Sequence, residues 1–190
     1  MMIEDKESVM EKIIKTQSVF NGHIIQVDVL TVKLPLGALA QREVVHAHAA
    51  AGVLAVVDGK ALFVRQWRAT VGQETLEIPA GKLDAQETAL AAAKRELNEE
   101  TGLAAGHWQQ LSHYYQSLGF SDAEMTLFAA SQLHSPTHKR VQDADESVAG
   151  EWLTFAQAKS AIQQGIICDA KTLLAIQYWQ QMEGERDGGN

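Results

Sequence analysis

The hydrophobic and polar positions of this chain change period several times, and each change marks an element. From residue 17 to residue 45 apolar and polar side chains alternate: Ser18, Val19 and Phe20 lead to Asn21-Gly22, and His23 to Leu34 follows with repeated Val and Ile. A period of two interrupted by Asn-Gly predicts a β-hairpin. Pro35-Leu36-Gly37 turns the chain again before Arg42 to Val45 opens another strand. This small antiparallel sheet has too little apolar surface to stand alone and must pack on something. Further on, the apolar run Val53 to Val57 reads as a buried strand, with Asp58-Gly59 as the turn into a partner, Ala61 to Gln66. Glu77-Ile78-Pro79-Ala80-Gly81 leads into a stretch of strong helix formers, Ala85 to Glu100, with Asp84 and Glu87 as a capping pair and Gly102 as the stop. Strand-like stretches follow at Trp108 to Tyr115 and Glu124 to Ala130. The polar segment His134 to Val148 is long for a loop without structure of its own, and such loops are functional or disordered. Thr154 to Gln164, closed by Gly165, and Asp169 to Gln181, opened by Asp169 as N-cap, are predicted helices. Mixed strands with helices before and after them predict an α+β protein in which helices cover both faces of one sheet, an α-β-α sandwich. Residues 1–46 form the N-terminal β-sheet subdomain, 47–183 the main domain and 184–190 a disordered tail.

The central helix carries the chemistry. At about 100° per residue, Leu90, Ala93 and Leu97 share one stripe, and Glu96, Glu99 and Glu100 lie within a sector of about 100° beside it. Like charges at i,i+3 and i,i+4 destabilise an isolated helix, so the cluster requires either a cation or open solvent. Mg²⁺, with Mn²⁺ as the alternative, prefers carboxylate oxygen and bridges protein carboxylates to substrate phosphates. Two such ions about 3.5–4 Å apart polarise phosphorus, stabilise the leaving oxygen and acidify an attacking water. A bare RExxEE run would read as a solvated helix face. The pattern here is longer: Gly81, Glu87, Arg95, Glu96, Leu97, Glu99, Glu100, Gly102 and Leu103 stand at fixed spacings. Seven such identities in register arise by chance less than about once in a hundred million starts. The pattern resembles the signature of the Nudix hydrolases at every position. That resemblance implies Glu96, Glu99 and Glu100 as metal ligands, joined by the backbone carbonyl of Ala80, with Arg95 and Glu87 as an ion pair holding the acids in place.

The chain's formal charge of −8 argues against a nucleic-acid surface but not against a nucleotide, whose phosphates metal ions screen. Cys168 stands alone, which rules out an intrachain disulfide and fits a reducing cytoplasm. The longest uncharged apolar run, Ala49 to Val57, is too short to span a bilayer, and the charged start MMIEDKES lacks the apolar core of a signal peptide. The expectation is a soluble cytoplasmic protein.

The nine positions specify pyrophosphate cleavage and little about the attached group, so the flanks carry specificity. VRQWR at Val64 to Arg68, LEIPAGK at Leu76 to Lys82, SLGFSD at Ser117 to Asp122 and GIICDAKT at Gly165 to Thr172 resemble the ADP-ribose pyrophosphatase branch. The branch implies hydrolysis of ADP-ribose to AMP and ribose 5-phosphate by a homodimer that exchanges its N-terminal sheet. Two positions depart from it: Leu118 stands where the branch has proline, and Ala123 where it has glutamate, with Glu124 displaced by one. Gly119 and Phe120 match. Another nucleoside diphosphate sugar therefore stays open as substrate, and so does a sensor on the same fold that binds without cleaving.

Within that frame Arg68 is the candidate for the phosphates, and Arg42 the candidate reaching across a dimer, each weighed against an ordinary surface arginine. Trp67 is a stacking surface for a base or else core, and Gly119 lies in the matched substrate loop. By resemblance the acidic loop Asp143 to Ser147 delivers the general base next to the metal, placed on Glu146 with Asp145 as runner-up. Glu99, Glu100 and Arg95 complete the catalytic set. His46 and His48, at i,i+2 on a strand, face one side but lack a third ligand, so packing is expected of them. Cys168 has no neighbouring His or Asn and is expected to be a buried small hydrophobe.

Overall fold

The computed structural model describes residues 10–140 and 149–187. The chain divides into two compact units, Met1–His48 with Tyr115–Ala123, and Ala49–Tyr114 with Glu124–Asn190. In the first, β1 (Lys12–Asn21), β2 (Ile25–Lys33) and β3 (Leu39–Ala47) form an antiparallel sheet in that order. The turns fall at the expected Asn21-Gly22 and around Gly37, whose φ of 89° is one that L side chains rarely adopt. Asp28 and Val32 are buried on β2, whereas β1 is exposed along its whole length.

In the second unit β4 (Ala50–Val57) lies at the centre of a mixed sheet. The remaining strands are β5 (Lys60–Arg68), β6 (Gln73–Glu77), β7 (Ala80–Lys82), β8 (Ala104–Tyr115), β9 (Glu124–His134) and β10 (Ala149–Thr154). The order is β10-β5-β4-β9-β8, with β6 on β5 and β7 on β4. β4 runs parallel to β9 and antiparallel to β5 and β7. Alternate residues of β4 serve two cores. Ala51, Val53 and Ala55 pack with Ala92, Ala93 and Leu97 of helix α1 (Ala89–Thr101), while Leu54 joins Phe63, Leu76 and Ile78 against α2 (Phe155–Gln163) and α3 (Ala170–Asp187). Trp179 of α3 meets Phe155 edge-on, with centroids 5.2 Å apart. Helices thus cover both faces of the mixed sheet, the expected α-β-α layering.

Several expectations are corrected. α1 begins at Ala89, not Ala85, because Thr88 is its N-cap and accepts from Ala91 N at 3.2 Å. The expected capping pair instead closes a turn: Glu87 N donates to Asp84 O and Asp84 N to Glu87 Oε2, both at 3.0 Å, with Gln86 at a φ of 66°. Gly102 ends the helix in the left-handed region, as expected. Leu90, in the first turn, is 36% exposed, and the buried stripe is Ala92, Ala93 and Leu97. Cys168 is exposed because Ile167 takes the buried position before it. β6, β7 and β10 are strands too short or too polar to declare themselves, and α3 runs on to Asp187, past Gln181. Among the described residues no helix is long and apolar enough to cross a membrane.

Candidate active site

The glutamate-bearing helix meets β7 at Gly81, and the contact fixes that residue's identity. A Cβ there would lie 1.8 Å from Glu96 Oε1, so only glycine lets the carboxylate occupy this place. Next to it Ala80 N donates to Glu100 Oε2 at 3.1 Å. Glu96 and Glu100 are 7% and 5% exposed, which excludes a merely solvated acidic face.

Arg95 organises the remaining acids. Its Nε and Nη2 grip Glu87 at 3.1 and 2.9 Å, and its Nη1 donates to Glu96 Oε1 at 2.7 Å and Glu99 Oε2 at 2.9 Å. A further bond from Nη2 to Lys82 O at 2.7 Å ties this cluster to β7. The hydrogen bonds from Arg95 hold Glu87 below the usual carboxylate range, and those to Glu87 in turn raise the guanidinium. Glu99 is bracketed from outside by Arg140 Nη1 at 3.3 Å. Asn98, at a free position inside the signature, clamps the same segment: its Nδ2 donates to His138 O at 3.0 Å and its Oδ1 accepts from Arg140 N at 2.9 Å.

By chemistry these donors suit a hard divalent cation, being oxygen only, largely buried and richer in carboxylate than in guanidinium. Their arrangement is not itself a cage. Among the described residues no three Asp, Glu, His or Cys side chains converge on one point, since Arg95 Nη1 bridges Glu96 and Glu99.

Arg68, the candidate for the phosphates, lies on β5 with Nε and Nη2 each 2.6 Å from the carboxylate of Glu77. Glu77 is 2% exposed and also receives Thr75 Oγ1 at 2.7 Å and the Lys171 ammonium. Burial alone would raise its pKa, but the bonds from Arg68 and the charge of Lys171 outweigh that and bring it down to about 2. Trp67 is 63% exposed, so the core reading fails and its face is open to a ligand.

Arg42 and Gly119 belong to the first unit. Arg42 is paired with Glu11, and an added Cβ at Gly119 would meet nothing within 4 Å. His46 is not a packing residue: its Nδ1 lies 2.5 Å from Asp122 Oδ2 and its Nε2 3.5 Å from Asp28 Oδ2, and the bond to Asp122 raises its pKa. His48 falls beyond the end of β3. Glu146, Asp145 and Asp143 lie outside the described residues. Glu77, Lys171, Asn98 and Arg140 were missed as site residues. GIICDAKT marked Lys171 as a resemblance without a role, and nothing in a single sequence marks Asn98.

Comparison with known proteins agrees with this construction. The NUDIX domain model matches residues 46–174. An ADP-ribose pyrophosphatase of Bacillus subtilis is 39% identical over 178 residues, 93% of this chain and 96% of that protein. A methanol dehydrogenase activator of Bacillus methanolicus is 36% identical over 174 residues, 91% of this chain and 94% of its own length. An ADP-ribose pyrophosphatase of Mycobacterium tuberculosis is 30% identical, with 86% of this chain and 80% of that protein aligned. A crystal structure of an ADP compounds hydrolase shares the fold with a TM-score of 0.81 at 18% identity, covering 92% of this chain and 96% of that one. The chain belongs to the Nudix family and is a Nudix hydrolase.

Proposed function

We propose that this chain is a Mg²⁺-dependent pyrophosphatase that hydrolyses ADP-ribose to AMP and ribose 5-phosphate. The observation that carries the reading is the buried carboxylate cluster ordered by Arg95 and cradled at Gly81, in a chain aligned almost end to end with proteins named ADP-ribose pyrophosphatase. Glu96, Glu99 and Glu100, with the Ala80 carbonyl, would hold the ion, which supplies Lewis-acid polarisation of the diphosphate. Arg68, fixed by Glu77, orients the phosphates, and exposed Trp67 offers its face to the base. Water attacks one phosphorus, the bridging P–O bond breaks, and the proton goes to Glu146.

We place the protein in the cytoplasm, where a lone exposed cysteine stays reduced. A homodimer is supported by the exposed apolar side chains of β1. A second reading, hydrolysis of another nucleoside diphosphate sugar, is favoured by Leu118, 80% exposed in place of the branch's proline, and by buried Ala123 in place of its glutamate. GDP-mannose pyrophosphatase of Yersinia pestis is 34% identical over 108 residues, 53% of its length.

Product analysis with Mg²⁺ and a panel of ADP-ribose, ADP-glucose, UDP-glucose, GDP-mannose, NADH and nucleoside triphosphates separates these readings. AMP with ribose 5-phosphate well ahead of other products supports the first. Preference for another sugar establishes the second, and binding without turnover makes the protein a sensor.

A further inference from the structure

The stretch Asp169 to Thr172 opens α3, and it meets Glu77 at the end of β6 and Ile78 just after it. Several contacts hold β6 and the residue after it from this side. Gln73 Nε2 donates to Gly165 O at 3.3 Å, Leu76 N to Ile166 O at 3.0 Å and Ile78 N to Thr172 Oγ1 at 3.0 Å, while Lys171 Nζ pairs with Glu77. Thr172 is fully buried and Ile78 likewise, so their bond is sheltered from water. Asp169 Oδ2 accepts from Lys171 Nζ at 2.9 Å and from Thr172 N at 3.2 Å, which fixes both residues on the first turn of the helix.

Glu77 is thus shared by two cations with different freedom. The Lys171 side chain is 13% exposed and the Arg68 side chain 41%. Glu77 takes Nε and Nη2 of Arg68 in a two-point grip, which leaves Nη1 outside that grip. Three residues beyond Glu77 and two beyond Ile78 the chain reaches Ala80, whose N–H already holds Glu100. An arginine gripped at two nitrogens loses the freedom to follow a ligand and presents one edge in one direction.

We infer that Lys171 is a positioning residue for substrate binding: from the first turn of α3 it sets the carboxylate of Glu77, which aims Arg68 at the diphosphate, while Thr172 pins the backbone leading to Ala80. The inference rests on the proposed function in taking a diphosphate as the group that Arg68 meets. It gives the DAKT stretch a role that acts through Arg68 and not by contact with substrate. Lys171 neutralises Glu77 together with Arg68, so without the lysine the arginine alone answers a buried carboxylate and is drawn inward, away from a ligand.

The test is kinetic and thermodynamic together on the full-length protein. Lys171→Met should raise KM for ADP-ribose with Mg²⁺ at least tenfold and lower kcat less than threefold, on the order expected when a ground-state contact is lost. Mg²⁺ affinity by calorimetry should stay within twofold, and Lys171→Arg should restore most of KM. In an Arg68→Ala background Lys171→Met should change KM no further, because both act through one guanidinium. Lys171→Gln, which keeps a donor for Glu77, replaces the methionine variant should that one be recovered unfolded and is read in the same way. A lower melting temperature with unchanged KM, or an effect additive with Arg68→Ala, overturns the inference. Binding of inorganic pyrophosphate with Mg²⁺ is measured alongside: if the parent turns over no nucleotide sugar, the proposed function fails, and a variant that then binds pyrophosphate as well as the parent overturns the positioning role separately.

Discussion

Gly81 shows how a single hydrogen in place of a methyl group decides a site. Its φ is not in the left-handed region; the demand is for space, since a Cβ would fall 1.8 Å from Glu96 Oε1. The near neighbour is the end of a side chain, so Gly81→Ala should leave a folded protein with the Glu96 carboxylate displaced. The expected result is a loss of roughly 100-fold in kcat/KM, about 2.7 kcal/mol, with weaker Mg²⁺ binding by calorimetry and a melting temperature within a few degrees of the parent. Metal affinity and activity near those of the parent would mean that Glu96 does not need that position. Glu146 is argued on sequence alone. Glu146→Gln should lower kcat more than tenfold without changing Mg²⁺ affinity, and turnover within about threefold of the parent removes it as the base.

Among the elements, α1 does more than present acids. Asn98 receives and donates one backbone bond each at Arg140 and His138, in the manner of a strand neighbour, and so fixes the exit from β9 beside Glu99. Asn98→Ala removes both bonds, at a cost of about 1 kcal/mol given their exposure. The expected outcome is a small fall in melting temperature with a fall of about three- to tenfold in kcat, because residues 138–140 precede the chain that carries Glu146. An unchanged kcat would confine Asn98 to stability. The long elements were legible in the sequence: β4 as an apolar run, the Asp58-Gly59 turn at φ of 49° and 70°, and the stop at Gly102. The start of α1 was not, because Asp84 and Glu87 satisfy the same capping pattern as a true start, and Glu87 Oε2 does accept from Asp84 N, yet the pair closes a turn and Thr88 caps the helix. Of the site, the acids and Arg95 follow from local spacing. Glu77 meets Lys171, and Ile78 meets Thr172, by tertiary contacts across more than ninety residues, which no local period encodes.

On the scale of the molecule, two features set how the protein responds to its surroundings. Glu77 is buried at the junction of β5, β6 and α3, and its pKa in the fold, about 2, lies below the ordinary 4.5. A depressed carboxylate contributes stability that is fully present above pH 4.5 and is lost as pH falls toward 2. Chemical denaturation of the parent should therefore show stability declining through that window, and Glu77→Gln, less stable at neutral pH, should show a flatter decline. The second feature is β1, whose Ile13, Ile14, Val19 and Phe20 are each more than half exposed on a three-stranded sheet that is marginal alone. A second copy of the chain is the partner that the exchanged-sheet reading supplies. Light scattering should give a mass near twice 20.8 kDa, and Ile14→Glu with Val19→Glu should shift it toward a single chain. If Arg42 of one copy completes the site of the other, that monomer also loses substrate affinity, and Arg42→Ala reproduces the loss with the dimer intact. A monomeric parent removes both consequences and leaves Arg42 with its partners within the chain, Glu11 and the Gln41 carbonyl.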